Sequence, residues 1–187
     1  MTSTPATTVL QREHDAILQM LEVAEELGRQ LERGRRVSPQ TLADLLEFFQ
    51  VFADRCHHGK EEDLLFPWLE QRGLPREGGP TGVMRSEHEQ GRLLVRRLSE
   101  AAQAYRRGAD EARAEWAALA RAYAALLRRH IDKENNVLFP MAESLLSPAE
   151  QQELAAAFDR VEQEKLGPGT HERLHALKER LSAEVLS

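Results

Sequence analysis

Apolar residues recur along this chain at three- and four-residue intervals, and most of them fall on four long helical stripes. Leu10, Ile17, Leu21, Ala24 and Leu31 line one face of a first helix from about Thr8 to Arg33, and His14 lies on that stripe. Gly34 to Val37 form a turn. Ser38-Pro39 then supplies a cap and a first-turn proline for a second helix, which carries Leu42, Leu45, Phe49, Phe52 and Ala53 towards His57 and Glu61. Pro67 should kink or end it, because proline lacks an N–H and disfavours helix at Phe66. Gln71 to Gly82 is dense in Gly and Pro and reads as a loop.

A third helix, from about Val83 to Arg107, has Met84, Gly91, Val95, Leu98, Ala102 and Tyr105 on its stripe, with His88 among them. Gly108-Ala109-Asp110 turns the chain into a fourth helix, Glu111 to Glu143, where Leu119, Tyr123 and Leu126 lead to His130, Glu134, Val137 and Met141. Ser147-Pro148-Ala149-Glu150 opens a further helix to about Lys165 with a cap, a first-position proline and a glutamate. Gly167-Pro168-Gly169 breaks it. Thr170 caps a last short helix that docks through Leu174, Leu177, Leu181 and Val185. The expectation is an all-α fold: an antiparallel up-down-up-down four-helix bundle over residues 1–146, with a helical appendage over 147–187 packed on it.

One stretch of the fourth helix repeats one of the second. His57 to Trp68 reads HHGKEEDLLFPW and His130 to Met141 reads HIDKENNVLFPM, so both have a histidine, then Lys at the third position on, Glu at the fourth, and Phe-Pro after that. Residues four apart share a helix face, so each copy aims an imidazole and a carboxylate at one point. The midpoints of His14–His57, His57–His88 and His88–His130 fall at Arg35-Arg36, Arg72-Gly73 and Ala109, all in expected connections. The four histidines therefore share one level. A lone histidine on an apolar stripe is an ordinary buried side chain, but four with two carboxylates are costly to bury without a cation. Imidazole with carboxylate suits iron, zinc, copper or manganese, and six such donors suit two metals bridged by two carboxylates.

Composition narrows the partners. The net charge of −6 and pI near 5.7 argue against nucleic acid, and paired arginines such as Arg96-Arg97 are interleaved with acids. No run approaches the ~18 apolar residues of a membrane span, and the first residues lack the pattern of a secretory leader, so a cytoplasmic location is expected. The single Cys56 excludes an internal disulfide and reads as a small packed apolar residue.

The set His14, His57-x-x-x-Glu61, His88 and His130-x-x-x-Glu134, with Phe66-Pro67 and Phe139-Pro140, resembles the hemerythrin-like (HHE cation-binding) family over roughly residues 8–146. The resemblance implies two iron ions in a non-haem di-iron centre. His14 and His57 would bind one iron, His88 and His130 the other, and Glu61 and Glu134 would bridge. O₂, peroxide or nitric oxide would be the small-molecule partners.

The oxygen carriers of that family have a second histidine on the third helix, whereas here Arg92 and Met84 flank His88 at the four-residue spacing. The chain thus matches six ligands of seven. Water or a neighbour could fill the gap. Glu13, His58, Glu62 and Glu87 each stand one step from a ligand and could fill it, orient a ligand or simply be solvated. Fewer histidines favour reaction with or sensing of small molecules, or iron and redox homeostasis, over oxygen transport. A redox-inert storage bundle is the milder alternative.

His171-Glu172-Arg173-Leu174-His175 matches the zinc-hydrolase pattern H-E-x-x-H. Its place in an exposed first turn, and the twelve residues left after His175, speak against a hydrolase and for a docking helix with surface histidines, one of which could fold back towards the bundle site. The exposed face of the appendage could also serve as a contact in a homo-oligomer.

Overall fold

In a computed structural model, which describes residues 4–186, the chain is all-helical: six helices and no strand among the described residues. Helix α1 is Ala6–Glu32. Helix α2 runs over 39–71, with Pro39–Glu47 α-helical, Phe48–His58 and Glu61–Leu65 widened to π-helix, and Phe66–Gln71 α-helical again. Helix α3 is Pro80–Arg106. Helix α4 runs over 111–145, with a π-helical turn at Glu134–Leu138 between Glu111–Lys133 and Phe139–Leu145. Helices α5, Pro148–Leu166, and α6, Thr170–Val185, complete the chain. Met1–Ser3, on which the leader expectation partly rests, and Ser187 lie outside the described residues. Among the described residues no helix is long and apolar enough to cross a membrane.

The expected starts hold where side-chain chemistry marks them. Ser38 accepts from the Gln40 N–H at 3.2 Å, and Ser147 and Glu150 form a reciprocal capping box. The loop is shorter than Gln71 to Gly82, because Pro80 takes the first helical position, where its missing N–H costs nothing. Gly34 and Gly108, at φ 71° and 91°, close the other two turns in the left-handed region that favours glycine. Thr170 does not cap α6. Gly169 does, at φ 78°, while the Thr170 hydroxyl donates back to the Leu166 carbonyl at 2.7 Å.

Two expectations in the repeats need correction, and one cause explains both. Pro67, expected to kink or end its helix, does not end it, and neither does Pro140 in the matching place. Each follows a π turn in which the Phe66 or Phe139 N–H reaches back five residues, to Glu61 or Glu134. The wider turn leaves each proline in the opening of a fresh α segment, where no N–H is required. The same extra residue shifts the helical phase. Val137, expected on the inner stripe, is 52% exposed, and Leu138 is buried in its place.

The buried apolar residues form two clusters. One contains Ile17, Leu21, Leu45, Phe49, Val95, Trp116 and Tyr123, and α6 adds Leu174, Leu181 and Val185. The other contains Leu10, Phe66, Met84 and Phe139, and α5 adds Leu154 and Phe158. In α1 to α4 the buried histidines and glutamates stand between the two clusters, so a polar layer is sealed on both sides. Helices α5 and α6 lie against α1 and α2 and cover one side of this layer.

Candidate metal centre

All six sequence-marked residues meet in that layer, and none is more than 1% exposed: His14, His57, Glu61, His88, His130 and Glu134. They fall into two groups of four, His14-His57-Glu61-Glu134 and Glu61-His88-His130-Glu134, whose donor atoms each lie within 4.8 Å of one another. The two groups share both carboxylates. The Oε1 of Glu61 faces His57 Nε2 at 3.4 Å while its Oε2 faces His88 Nε2 at 3.4 Å. Glu134 likewise presents Oε2 to His14 Nε2 at 3.1 Å and Oε1 to His130 Nε2 at 3.2 Å.

A further layer of acceptors sets the ring orientations. Nδ1 of His57 donates to Glu13 at 2.9 Å, that of His130 to Glu87 at 2.9 Å, that of His88 to Glu62 at 2.6 Å, and that of His14 to Asn135 at 2.8 Å. With the proton on Nδ1, each Nε2 lone pair points inward, as metal-binding imidazoles require. Phe139 stacks on His14 and Phe66 on His88, at 5.5 and 5.9 Å between ring centroids. Lys60 and Lys133 in turn reach Glu13 and Glu87.

Most of the inward atoms are left without hydrogen bonds. His14 Nε2, His57 Nε2 and all four carboxylate oxygens of Glu61 and Glu134 are buried and have no hydrogen-bond partner, despite their close approaches. His88 Nε2 and His130 Nε2 face each other at 3.0 Å. Burying so many unsatisfied polar atoms costs kilocalories for each, and one or two cations among them would satisfy the whole set. The donor chemistry fits a transition metal.

Charge in the cage is divided unevenly. Burial and the neighbouring Glu134 push Glu61 well above the ordinary carboxylate range. Burial also opposes ionisation of Glu134, but His130 and His14 outweigh it and hold that carboxyl well below the range. Burial lowers His57 to about 3 and, with His58 and His130 nearby, takes His88 well down. His130 rises to about 9, because Glu134 and Glu87 overcome its burial. Metal ligation needs deprotonated donors, so cations would displace protons from this cage.

Arg92 does not enter the cage. A guanidinium has no lone pair to offer, and this one is held by Asp54, Glu62 and Glu89. Met84 packs in the apolar cluster with Phe66. Of the four neighbours singled out in the sequence, Glu13, Glu62 and Glu87 orient ligand rings, and His58 is buried beside His88. Asn135, the counterpart of Glu62 in the second repeat, is not among those four candidates, yet it accepts from His14 as Glu62 does from His88.

The C-terminal motif does not assemble a metal site. Glu172 and His175 are exposed, and His171 pairs with Glu162 of α5 at 2.5 Å. Among the described residues, no group that could hold a metal includes His171 or His175. Glu162 also binds Lys60 at 2.8 Å and accepts from Cys56 Sγ at 3.5 Å, so the appendage is tied through Lys60 and Glu13 to His57. Cys56 is buried, and burial pushes its thiol up to about 12, the behaviour of a packed rather than a reactive cysteine.

A family model described as the hemerythrin HHE cation-binding domain matches residues 6–142. The uncharacterized protein Rv1995 of Mycobacterium tuberculosis is 28% identical over 158 residues, covering 84% of this chain and 61% of that protein. The iron-sulfur cluster repair protein YtfE of Edwardsiella ictaluri is 33% identical over 135 residues, 71% of this chain and 60% of the relative. YtfE of Salmonella newport is 31% identical over 140 residues, 72% and 63%. The chain therefore spans about three fifths of the length of the curated relatives it matches.

Proposed function

The chain belongs to the hemerythrin HHE cation-binding domain family, and on that premise we propose that its buried cage is a di-iron centre reacting with, or sensing, a small oxidant or gas. One observation carries this reading: each shared carboxylate turns one oxygen to His14 or His57 and the other to His88 or His130. Two metals held by these six residues would satisfy the unpartnered atoms of His14, His57, Glu61 and Glu134. Iron is preferred among the metals suited to these donors because relatives at 31–33% identity are named for repair of iron-sulfur clusters.

The protein's own contribution would be to fix the donors. Glu13, Glu62, Glu87 and Asn135 hold the Nδ1 protons, and the two apolar clusters exclude bulk water. Iron held this way would supply redox chemistry towards O₂, peroxide or nitric oxide, and a cage with Arg92 where the carriers have a histidine suits such reactions better than reversible transport.

The four long helices are read as an up-down-up-down antiparallel bundle over residues 1–146. Support comes from the two apolar clusters, which swap order along the chain from each helix to the next. Residues 147–187 form the appendage. A cytoplasmic location and action without nucleic acid or membrane are in keeping with the net charge of −6.

Anaerobic loading with ferrous iron, followed by air, tests the centre. Two irons per chain with the near-ultraviolet and visible bands of an oxo-bridged ferric pair are expected. Failure to take up iron, or one colourless zinc lost on replacing His171 and His175, would overturn it.

A further inference from the structure

We propose that the cavity between α2, α3 and α4 is a binding site for a small oxyanion with two acceptor oxygens, of the size of nitrite or formate. The site is separate from the metal cage, and no metal is needed to form it.

The cavity measures about 150 Å³ and is walled by Phe49, Asp54, His58, Gly91, Arg92 and Tyr123. Drug-sized ligands need ~300 Å³ or more, so only a molecule of a few atoms fits. Helix α3 leaves the room because residue 91 is glycine: a Cβ there would lie 3.6 Å from the Tyr123 ring and 3.6 Å from Leu127. His58 forms the inner wall. Its ring stacks on His88 at 3.8 Å between centroids, and its Nδ1 faces Asp54 at 3.5 Å. One ring thus separates the cavity from the cage.

One group in this wall lacks the partner that burial ordinarily demands. Tyr123 is 2% exposed, yet its hydroxyl has no hydrogen-bond partner among the described residues. Buried tyrosines ordinarily bond their hydroxyls. Burial, with the charge of Asp54, pushes this phenol up, so it remains a donor. A donor without an acceptor, on the wall of a cavity this small, fits an acceptor brought from outside.

Charge decides between a neutral and an anionic occupant. The guanidinium of Arg92 is spent on Asp54, Glu62 and Glu89, and it answers the one negative charge of the lining, Asp54, at 2.8 Å. Arg96, one turn further along α3, also lines the cavity, is exposed, and has no carboxylate partner among the described residues. One acid against two arginines leaves a single positive charge over. An ion with two acceptor oxygens would take the Tyr123 hydroxyl with one and neutralise Arg96 with the other.

Titration of ¹³C-formate and of nitrite into the metal-free full chain, read by NMR of the formate carbon and of the Tyr123 ring, tests the site. One ion per chain should shift the Tyr123 signals saturably, and each ion should displace the other. Tyr123→Phe should weaken formate binding at least about tenfold, the worth of a hydrogen bond to a charged acceptor. Arg96→Gln, at an exposed position that folding does not depend on, should weaken it several-fold. Tyr123 signals that do not move, or equal affinity in all three chains, would overturn the site. Displacement by chloride at the same concentration as nitrite would overturn the two-oxygen chemistry. Binding to the iron-loaded chain alone would place the ion on the metal, and would sink this proposal while leaving the di-iron reading intact. Because the titration is made without metal, failure to load iron counts against that reading only.

Discussion

The two halves of the cage share one wiring and differ in what covers it. In the first, Glu13 precedes His14 and accepts from His57 and Lys60. In the second, Glu87 precedes His88 and accepts from His130 and Lys133. The Lys of each repeat thus anchors the carboxylate that orients the repeat's own His. Glu62 or Asn135, with the Phe of the same repeat, positions a histidine of the opposite half. Yet Lys60 is 2% exposed beneath α5, where Glu162 gives it a second partner, and Lys133 is 38% exposed with Glu87 alone. The appendage makes one orienting pair a buried network and leaves the other at the surface. The same residues should therefore matter differently.

The largest effect is expected at the shared carboxylates. Glu134→Ala removes one shared carboxylate from a sealed layer and leaves His130 with Glu87 as its remaining carboxylate partner. It should abolish binding of two irons and destabilise the metal-free chain by about 3–5 kcal/mol. Glu61→Gln should also lose iron but change metal-free stability less than Glu134→Ala, because burial and Glu134 already oppose a charge on Glu61. Iron counts with urea denaturation of both variants read this contrast, and unchanged iron in Glu134→Ala would remove that residue from the site.

Next comes the comparison of the lysines. Lys60→Met leaves Glu13 and Glu162 facing each other without their cation, for a loss of about 3–5 kcal/mol. Lys133→Met breaks a half-exposed pair and should cost less, about 1 kcal/mol. Equal losses in urea denaturation would show that covering by the appendage is irrelevant.

The six buried donors were legible in the sequence because i,i+4 spacing on apolar stripes needs only helical periodicity, and connections at the histidine midpoints fixed their common level. What lay one residue off the stripe was legible only as a choice between ligand, orienting group and solvated side chain. Glu13 and Glu87 flank ligands, but which histidine each meets depends on packing between helices, and Asn135 is inconspicuous beside the more acidic Glu62. Val137 was placed inward because α-helical phase was assumed. The π turn at Glu134–Leu138 inserts a residue that no propensity announces. The tie from α5 to Lys60 joins positions 102 residues apart, beyond any local pattern.

That tie yields the smallest effect and the finest test. Burial opposes ionisation of Glu162, but His171 and Lys60 outweigh it and hold the carboxyl at about 2, below its ordinary 4.5. A depressed carboxylate contributes stability that is complete above pH 4.5 and lost as the pH falls towards 2. His171 is raised above its ordinary 6.5, mainly by Glu162, so its contribution is complete below pH 6.5 and lost as the pH rises through the raised value. The pair should therefore stabilise most between pH 4.5 and 6.5. Because His171 is half-exposed and screened, the His171 limb should amount to less than about 1 kcal/mol. Thermal melting of the wild type and of His171→Ala should diverge inside that window and converge above it. A constant gap at all pH values would mean that His171 acts by packing on Phe52, whose ring lies 6.0 Å away, and that charge plays no part in fastening α6 to the cage side.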